Sequence, residues 1–561
     1  MNHSRWQMPL RLLPEPLARA EELTPLMAQL LYNRGVTDPA QVEPFLAADK
    51  RLLGDPFLLP DMDKAVARVY RALLCGEAIT IYGDFDADGV TATAVLTQGL
   101  SQLGGRVTPY IPRRIEEGYG LNHAALERLH REGVSLVVTV DCGISTVAEV
   151  ERAQSMGLDI VITDHHTPLP VMPPAVAVVD PKRADCLYPF RDLAGVGVAF
   201  KLLQALFGSL GQEEDLDQFL DLVALGTVAD MAPLLSENRY LVKRGLEVLN
   251  GAERLGLREL MRCAGVIPGS VDPETISWVL GPRLNVAGRL DHAITGYDLL
   301  VASTVEEAQR LARLLEKKNA ERQRLTDEVL SKAREKLLAI GTDSPLLMVG
   351  DEGYLSGVVG VVAGKLVDEF YRPTIVFSQG KTASRGSGRS IPEFNIIAAL
   401  TQCRDLLSRF GGHPMAAGFT APTENLPRLQ ERLVEIAARE LVGLDLRPLI
   451  IIDAELTLSS LQGTTFQMMQ KLAPFGRANP PPTFFSRGLK VVDCRGVGAN
   501  EGHLRLKLRE DNVVWDGVAF GLGNLISEVS PRLDIVYNLG VDRWRGAGLL
   551  QLNILDFAPC R

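Results

Sequence analysis

Between residues 78 and 182 the chain alternates short apolar, β-branched runs with longer stretches whose apolar residues recur at helical spacing. Strands that alternate with glycine-closed helices of this length predict βαβ units. We therefore expect an α/β fold with a parallel sheet covered by helices on both faces. The predicted strands span residues 78–83, 106–112, 135–143, 159–166 and 175–181.

Beyond this region the pattern changes twice. Helical spacing dominates to about residue 340 and ends in a long helix of mixed charge, 304–340, which is typical of a strut between two domains. A second α/β block follows from about 345 to 440. The tail, 448–561, alternates polar and apolar residues with period two, which predicts five or six short antiparallel strands in a small OB-like β-barrel.

The composition is that of an ordinary globular protein, with 46% hydrophobic and 23% charged residues among 561. No uncharged apolar run approaches the roughly 18–20 residues that span a bilayer, and the start of the chain lacks the apolar core of a signal peptide. Seven cysteines without a CxxC pair favour a reducing cytoplasm and argue against structural zinc. The net charge of −10 argues against a basic coat for nucleic acid but permits a local basic track.

Carboxylates and imidazoles follow several apolar segments. In an open parallel sheet, ligands bind beyond the carboxyl ends of the strands, so we expect these side chains to meet at one edge. Each has an ordinary alternative: a solvated acidic turn, a helix cap at Asp88, or a pair of surface histidines. Their joint occurrence favours a metal phosphoesterase. The candidates are Asp84, Asp86, Asp88, Asp141, Asp164, His165, His166 and Asp230.

The ligand types narrow the choice of metal. Oxygen ligands suit magnesium or manganese, and added imidazole favours manganese or zinc. The candidates outnumber the ligands that one ion needs, so we expect two ions that share a carboxylate. Two metals about 3.5–4 Å apart are a recurring device for displacement at phosphorus.

At this point the sequence resembles the DHH phosphoesterase superfamily and, within it, the bacterial exonucleases specific for single-stranded DNA. The resemblance covers nearly the whole chain. One departure is Ala478-Asn479, where the family usually has Gly-Asn. The motifs are "YGDFDADGVTA", "TVDCG", "TDHH", "IPRRIEEGYGLN", "LAGVGVAFKL", "GTVADMAPL", "GPRLNVAGRL", "SRGSGRSIPEFN" and "GGHPMAAGF".

The resemblance implies that the acids and histidines above hold two Mg²⁺ or Mn²⁺ ions, although it leaves open which of Asp84 and Asp86 is a direct ligand. It also implies hydrolysis of single-stranded DNA in the 5′→3′ direction, release of mononucleotides, and a role in repair and recombination. A single-strand-binding protein and a helicase are the implied partners. Catalysis is assigned to Asp86, Asp88, Asp141, His166 and His413.

Several motifs suit phosphate and strand binding. "GGHPMAAGF" offers two glycines and a small-residue helix start, a candidate phosphate cradle in which His413 donates to the scissile phosphate. "KTASRGSGRSI" is an acid-free loop with Lys381, Arg385 and Arg389, which suits charge-assisted bonds to phosphate. The alternatives are a structural Gly-Gly-His loop and surface salt bridges for the arginines.

The resemblance assigns roles to more of these residues. Arg289, Ser387 and Arg389 would hold a terminal 5′ phosphate. Arg114 and Tyr119 would lie near the strand, where the tyrosine offers a stacking face. Arg283 and Asn285, from "GPRLNVAGR", complete the substrate-binding candidates.

The tail contains a basic stretch inside this acidic protein. Residues 476–509 hold seven basic side chains against two acids, with Phe484, Phe485 and Trp515 nearby. Basic strands with aromatics on a small barrel favour single-strand binding, although a barrel can also bind protein and the aromatics can belong to its core. The basic residues are Arg477, Arg487, Lys490, Arg495, Arg505, Lys507 and Arg509.

The predicted organisation is therefore an α/β chain of five parts. Two other functions stay open: a DHH enzyme for short oligonucleotides or cyclic dinucleotides, and a catalytically silent nucleic-acid scaffold. The parts are an N-terminal segment 1–50, a DHH catalytic domain 51–300, a connecting helix 301–343, a DHHA1-type phosphate-binding domain 344–446, and an OB-like single-strand-binding domain 447–561.

Overall fold

A computed structural model describes residues 3–8, 17, 23–114, 116–290, 292–461, 463–542 and 549–560. The chain divides into two compact units. The first comprises residues 1–11, 320–465 and 482–561, and the second comprises 12–319 and 466–481. Within the described ranges, no helix has the length and apolar character that crossing a membrane requires.

The first strand of the chain, β1 (Arg5–Gln7), belongs to the first unit.

The second unit contains the parallel sheet, and its predicted strands are confirmed. The five sheet strands lie in the order β3-β2-β4-β5-β6, and every pair is parallel. Their apolar runs are buried because helices cover both faces. They are β2 (Ala78–Gly83), β3 (Arg106–Tyr110), β4 (Val134–Val140), β5 (Asp159–Thr163) and β6 (Ala177–Val179).

Helices form the rest of the second unit. A π-helical turn, Ile276–Leu280, precedes α12. The helices are α1 (Pro25–Asn33), α2 (Pro39–Ala47), α3 (Met62–Cys75), α4 (Ala87–Gln102), α5 (His123–Arg131), α6 (Val147–Ser155), α7 (Gly195–Gly208), α8 (Leu220–Ala229), α9 (Ser236–Gly251), α10 (Leu255–Cys263), α11 (Pro273–Thr275), α12 (Gly281–Leu290) and α13 (Ile294–Val301).

The predicted long helix is α14 (Val305–Ile340), and the boundary between the units falls within it. The second α/β block has a mixed sheet in the order β10-β11-β9-β8-β7. Its strands are β7 (Leu347–Asp351), β8 (Thr374–Ser378), β9 (Ala383–Arg389), β10 (Arg409–His413) and β11 (Ala416–Pro422). Its helices are α15 (Val359–Phe370), α16 (Ile396–Gln402) and α17 (Leu426–Glu440).

The tail forms the predicted OB-like barrel, which closes because β14 pairs with both β15 and β17. The prediction of wholly antiparallel strands is wrong at two pairs of the tail, since β16 runs parallel to β18 and β13 runs parallel to β14. Helix α18 (Gly463–Gln470) belongs mainly to the second unit. The strands are β12 (Leu449–Ile451), β13 (Ala454–Glu455), β14 (Thr483–Val497), β15 (His503–Glu510), β16 (Val513–Ala519), β17 (Arg532–Val541) and β18 (Leu550–Pro559).

The compact units cut the chain differently from the five predicted parts. Strand β1 pairs with β12, so the first residues join the unit that contains the tail. Residues 466–481, which lie inside the predicted OB-like domain, belong instead to the unit with the parallel sheet. The five-part division and the role of α14 as a strut stay predictions.

Candidate metal centre and phosphate-binding residues

The carboxyl edge of the parallel sheet brings the predicted acids and histidines together. Asp84 follows β2, Asp141 follows β4, the Asp-His-His run follows β5, and Asp230 caps the end of α8. Three groups have ligand atoms within 4.8 Å of one another, and Asp141 and His165 each occur in two of them. The groups are Asp141-His165-His166, Asp88-His165-Asp230 and Asp84-Asp86-Asp141.

The ring of His165 shows why this edge fits a cation. Its Nδ1 lies 3.1 Å from the carbonyl oxygen of Leu193, which places the ring proton on Nδ1. The buried Nε2 then faces Asp141 Oδ1 at 3.1 Å and has no hydrogen-bond partner. Two electron pairs at this distance repel unless a cation lies between or beside them. A metal-binding histidine uses the same tautomer, with its other nitrogen bonded to a carbonyl.

The buried carboxylates also indicate that this edge fits a cation. Burial, together with neighbouring acids, raises the pKa of Asp88 and of Asp230 to about 7 and that of Asp141 well above its usual range. Asp84 Oδ1 is buried without a hydrogen-bond partner. Such a cluster is stable in its ionised form only with positive charge among its oxygens. The residues present therefore fit one or more divalent cations.

The start of α7 is built around this cluster. The backbone N–H groups of Gly195 and Val196 donate to Asp88 at 2.7 and 2.8 Å. A Cβ at Gly195 would lie 2.6 Å from the Cβ of Asp141, so the close approach requires glycine. The helix N-terminus thus orients Asp88 and adds partial positive charge beside it.

Two predicted ligands also have structural roles, and Asp86 keeps its place in one of the three ligand groups. The helix cap considered for Asp88 is provided by Asp86, whose Oδ1 accepts from the N–H groups of Asp88 and Gly89, because Asp86 is the residue that directly precedes α4. Asp164 lies behind the site and belongs to none of the three groups. Its oxygens accept from the backbone N–H groups of Ile144, His165 and His166. These bonds fix the carboxylate in place, and a direct bond from Asp164 to metal stays a prediction.

Asp164 also fixes the second histidine. His166 Nδ1 lies 2.7 Å from Asp164 Oδ1. Burial acts against a charge on His166, but this hydrogen bond together with the negative charges of Asp164 and Asp230 outweighs burial and raises the pKa of the ring to about 9. Asp164 thereby holds the ring with Nδ1 toward itself.

Arg114 and Tyr119, predicted to lie near the strand, both reach this edge. The Tyr119 hydroxyl donates to the carbonyl oxygen of Asp141 at 3.1 Å, while 44% of the residue remains exposed. The guanidinium carbon of Arg114 lies 4.9 Å from the ring centroid of Phe85, and its charge acts on Asp84. An exposed ring and a cation therefore stand directly beside the acids.

Helix α12 packs against the segment that joins β2 to α4, and Asn285 is the substrate candidate that contacts it. Asn285 Oδ1 accepts from the N–H of Ala87 at 2.7 Å. Arg283 forms an ion pair with Glu316 at 2.5 Å, the salt-bridge alternative considered for it. Arg289 follows Gly288, where a Cβ would lie 2.4 Å from the carbonyl oxygen of Phe85. Its contact with a 5′ phosphate stays a prediction.

In the first unit, the predicted acid-free loop is mostly strand β9, which corrects the prediction. The register explains its composition. Arg385, Ser387 and Arg389 alternate onto one face, whereas Gly386 and Gly388 turn toward Phe419 and Ile396 on the other. Lys381 precedes the strand and is exposed.

Arg389 and Ser387 meet the start of α15. Arg389 Nη1 donates to Ser387 Oγ at 2.9 Å. A Cβ at Gly360, in the first turn of α15, would lie 3.0 Å from Ser387 Oγ and 3.1 Å from Arg389 Nη2. A guanidinium, a hydroxyl and a helix N-terminus with no side chain in the way form a favourable site for an anion.

The Gly-Gly-His motif is a β-hairpin, so the predicted helix start is wrong. Gly412 has a φ of +143°, and a Cβ there would lie 2.4 Å from the carbonyl oxygen of Ala416, so this position in β10 requires glycine. His413 pairs with Ala416, which pairs with Arg389, so the three share one face. The same register places Arg409, Thr420 and Arg385 in a parallel row. Sequence reasoning missed Arg409, whose period-two spacing from His413 was the available signal.

The barrel separates the basic stretch from its aromatics. Leu504, Leu506 and Leu508 are buried, and the alternating residues Lys507 and Arg509 are exposed. Arg505 is partly buried, with its guanidinium 3.8 Å from Asp542. Phe484 and Phe485 are buried, as in the core alternative, because both precede the point where β14 leaves the core. Trp515 Nε1 donates to the carbonyl oxygen of Leu458.

Arg477 lies in the other compact unit and is no part of the barrel. Of the other bases, Arg487 pairs with Glu455, and Lys490 and Arg495 are exposed.

Comparison with known proteins accounts for this combination of parts. The DHH family N-terminal domain matches residues 78–227, the DHHA1 domain 343–439, and the RecJ OB domain 452–556. The single-stranded-DNA-specific exonuclease RecJ of Bacillus subtilis (strain 168) is 40% identical over 560 residues, which are 99% of this chain and 71% of that protein. The chain belongs to the RecJ family.

Two solved RecJ structures agree with this assignment. RecJ of Thermus thermophilus in complex with Mn²⁺ matches with a TM-score of 0.84 and 31% identity, covering 99% of this chain and 80% of that chain. Its complex with Mg²⁺ matches with a TM-score of 0.79 and 30% identity, covering 99% and 79%. The mixed carboxylate and imidazole set of this RecJ family member suits either metal.

Proposed function

We propose that the chain is a metal-dependent exonuclease that degrades single-stranded DNA from its 5′ end and releases mononucleotides. The observation that carries the proposal is the buried edge where His165 Nε2 and Asp84 Oδ1 lack partners among clustered acids, in a member of the RecJ family. A cytoplasmic role in DNA repair and recombination, with a single-strand-binding protein and a helicase as partners, completes the proposal.

The edge would hold two Mg²⁺ or Mn²⁺ ions, which when bound activate water and neutralise charge that develops on the phosphate. Asp141 and His165 belong to two of the ligand groups each and are the residues best placed to be shared. Asp164 keeps His166 oriented through its hydrogen bond. Tyr119 presents an exposed ring on which a base can stack.

The first unit would supply affinity for the strand and would determine the end from which it is degraded. Arg389, Ser387 and the start of α15 would bind a terminal 5′ phosphate, and His413 would donate to the scissile phosphate from the same sheet face. The bases on the outside of the barrel would bind the continuing strand, because sequence-independent affinity comes from phosphate contacts.

The test is a time course of digestion of single strands labelled at the 5′ or the 3′ end, with Mn²⁺ or with EDTA. We expect the 5′ label to appear first as a mononucleotide and the 3′ label to shorten progressively, only with metal. Duplex and dinucleotide substrates are the controls. Release of the 3′ label first, or efficient cleavage of dinucleotides with little action on long strands, would contradict the proposal.

A further inference from the structure

Two cations in the unit with the parallel sheet have no role in the site described above. Lys182 follows β6 and is partly buried, and Arg477 lies exposed in the turn 476–479. Neither side chain has a hydrogen bond or an ion pair with any residue that the structure describes. An unpaired, partly buried ammonium is costly to maintain, which raises the question of what it faces.

The turn after β6 places Lys182 beside the metal centre. β6 lies next to β5, and the N–H of Asp164 donates to the carbonyl oxygen of Val179 at 3.1 Å. The N–H of Lys182 donates to Asp180 Oδ1 at 2.7 Å, and Arg183 holds the turn through Asp61 at 2.6 Å. The backbone is therefore fixed on both sides of Lys182, while its ammonium stays unpaired.

Arg477 reaches the same side of the centre from a distant part of the sequence. The N–H of Leu234, four residues after Asp230, donates to the carbonyl oxygen of Arg477 at 2.9 Å. Gly476 and Asn479 pair across the turn, with Ala478 at φ +63°, the conformation that the family's glycine would favour. The backbone of Arg477 is thereby held next to the segment that follows Asp230.

Buried groups hold this turn firmly. The Asn479 side chain is fully buried and donates to the carbonyl oxygens of Leu472 and Pro474 at 2.8 Å each. Arg239, also fully buried, donates to the carbonyl oxygens of Lys471, Leu472 and Ala473. The backbone that carries the Arg477 side chain is therefore ordered before any ligand binds, so binding has to immobilise only the side chain.

We propose that Lys182 and Arg477 bind the phosphodiester backbone of the substrate beside the metal centre, each contacting one phosphate next to the scissile one. The inference rests on the proposed function. The clustered acids repel a polyanion, and cations from two separate segments on the Asp230 side reduce that repulsion where the strand passes. Guanidinium and ammonium groups bind phosphate oxygens through charge-assisted hydrogen bonds. Both residues are substrate-binding rather than catalytic.

The experiment measures binding of single strands that carry one neutral methylphosphonate linkage, moved stepwise from the 5′ end, in EDTA so that the strand stays intact. On the unmodified strand we expect Lys182→Gln and Arg477→Gln each to weaken binding about tenfold. The slope of log K against log salt should become shallower by about 0.7 for each variant. On the one strand whose neutral linkage coincides with the lost contact, a variant should bind as well as the wild type.

Matched variants complete the design. Lys471→Gln removes an exposed charge from the same segment and should leave binding unchanged. Lys182→Arg and Arg477→Lys keep the charge and should restore most of the affinity. Arg477 is exposed, so its variant tests the inference even where Lys182→Gln lowers the melting temperature. Suppose that the wild type digests single strands. Unchanged affinity in the Gln variants, or equal losses on every modified strand, would then overturn the inference alone. A wild type that neither binds nor digests them would overturn the proposed function as well.

Discussion

The edge of the parallel sheet and the outside of the barrel hold their charges in opposite ways. At the sheet edge, Asp84, Asp88 and Asp141 are 4%, 1% and 3% exposed, and their nearest charged neighbours are mostly other acids. On the barrel, Lys507 and Arg509 are exposed on a strand whose alternate residues form the core. The acids lie close together and are shielded from solvent, whereas the bases are spread over the surface and are solvent-exposed.

This difference determines what each region can do. Charges interact strongly where water is excluded and weakly where it is not, so the sheet edge requires a cation and can support chemistry. An exposed basic side chain gains little binding free energy from any one phosphate contact, and affinity for the strand comes from the sum of several contacts. Single substitutions should therefore have large effects at the edge and small ones on the barrel.

The largest effect is expected at the shared carboxylate. Asp141→Asn should lower the rate of strand hydrolysis by at least about a thousandfold, because the metals' charge stabilisation is worth several kcal/mol. Folding should be unchanged or improved, since the substitution relieves repulsion among buried acids. Steady-state kinetics with saturating Mn²⁺ and thermal melts of both proteins measure the two quantities.

Asp180 provides the matched control. It is a fully buried aspartate that follows the next strand, β6, and it belongs to none of the three ligand groups. Asp180→Asn should keep the rate within about a factor of ten. If the two variants lost activity equally, burial of an acid at this edge would matter rather than metal ligation.

Removal of metal should make stability depend on pH. In the metal-free protein the pKa of Asp88 and of Asp230 is about 7, above the ordinary value of 3.8. The folded state then retains protons that the unfolded chain has lost, so stability should fall as pH rises from about 4 to about 7. Melting temperatures in EDTA and in Mn²⁺ across this range should diverge with rising pH. Parallel curves would show that metal does not bind these acids.

A smaller and more selective effect is expected at the anion site of the first unit. Arg389→Ala should reduce kcat/KM for 5′-phosphorylated strands roughly tenfold more than for 5′-hydroxyl strands, because a charge-assisted bond is lost. Arg385→Ala, on the same face of the same strand, should lower both equally. Equal losses on both ends for Arg389→Ala would make it a general strand contact.

The smallest effects are expected on the barrel. Lys507→Gln and Arg509→Gln should each make the salt dependence of long-strand binding shallower by about 0.7 and leave very short strands unaffected. Point variants are the right test here. Deletion of the tail after residue 446 would also remove residues 466–481, which pack within the other compact unit. An unchanged slope in both variants would favour protein docking on the barrel.

The sequence predicted best what depends on local pattern. Strand β2 has the predicted limits, because its residues after the partly buried Ala78 are all buried. β9 and β10 escaped prediction as strands because glycine, serine and arginine dominate them, and their pairing is specified by partners elsewhere in the chain.

The candidate site also has parts that the sequence predicts and parts that it does not. The edge was predictable, since strand ends in a parallel sheet converge by geometry. The separate roles of Asp86 and Asp164 were not, because a cap and a metal ligand are the same residue type and differ only in the N–H groups that reach them. Arg477 shows the limit most clearly, since Leu234 and Arg239, far away in sequence, determine where it lies.

The central claim is that the buried edge is a two-ion centre organised around Asp141. The most direct measurement is the number of Mn²⁺ ions bound per chain, obtained by titrating metal-free protein and following free Mn²⁺ by electron paramagnetic resonance. The account predicts two ions for the wild type and for Asp180→Asn, and the loss of at least one in Asp141→Asn. A single ion in the wild type, or unchanged binding in Asp141→Asn, would contradict it.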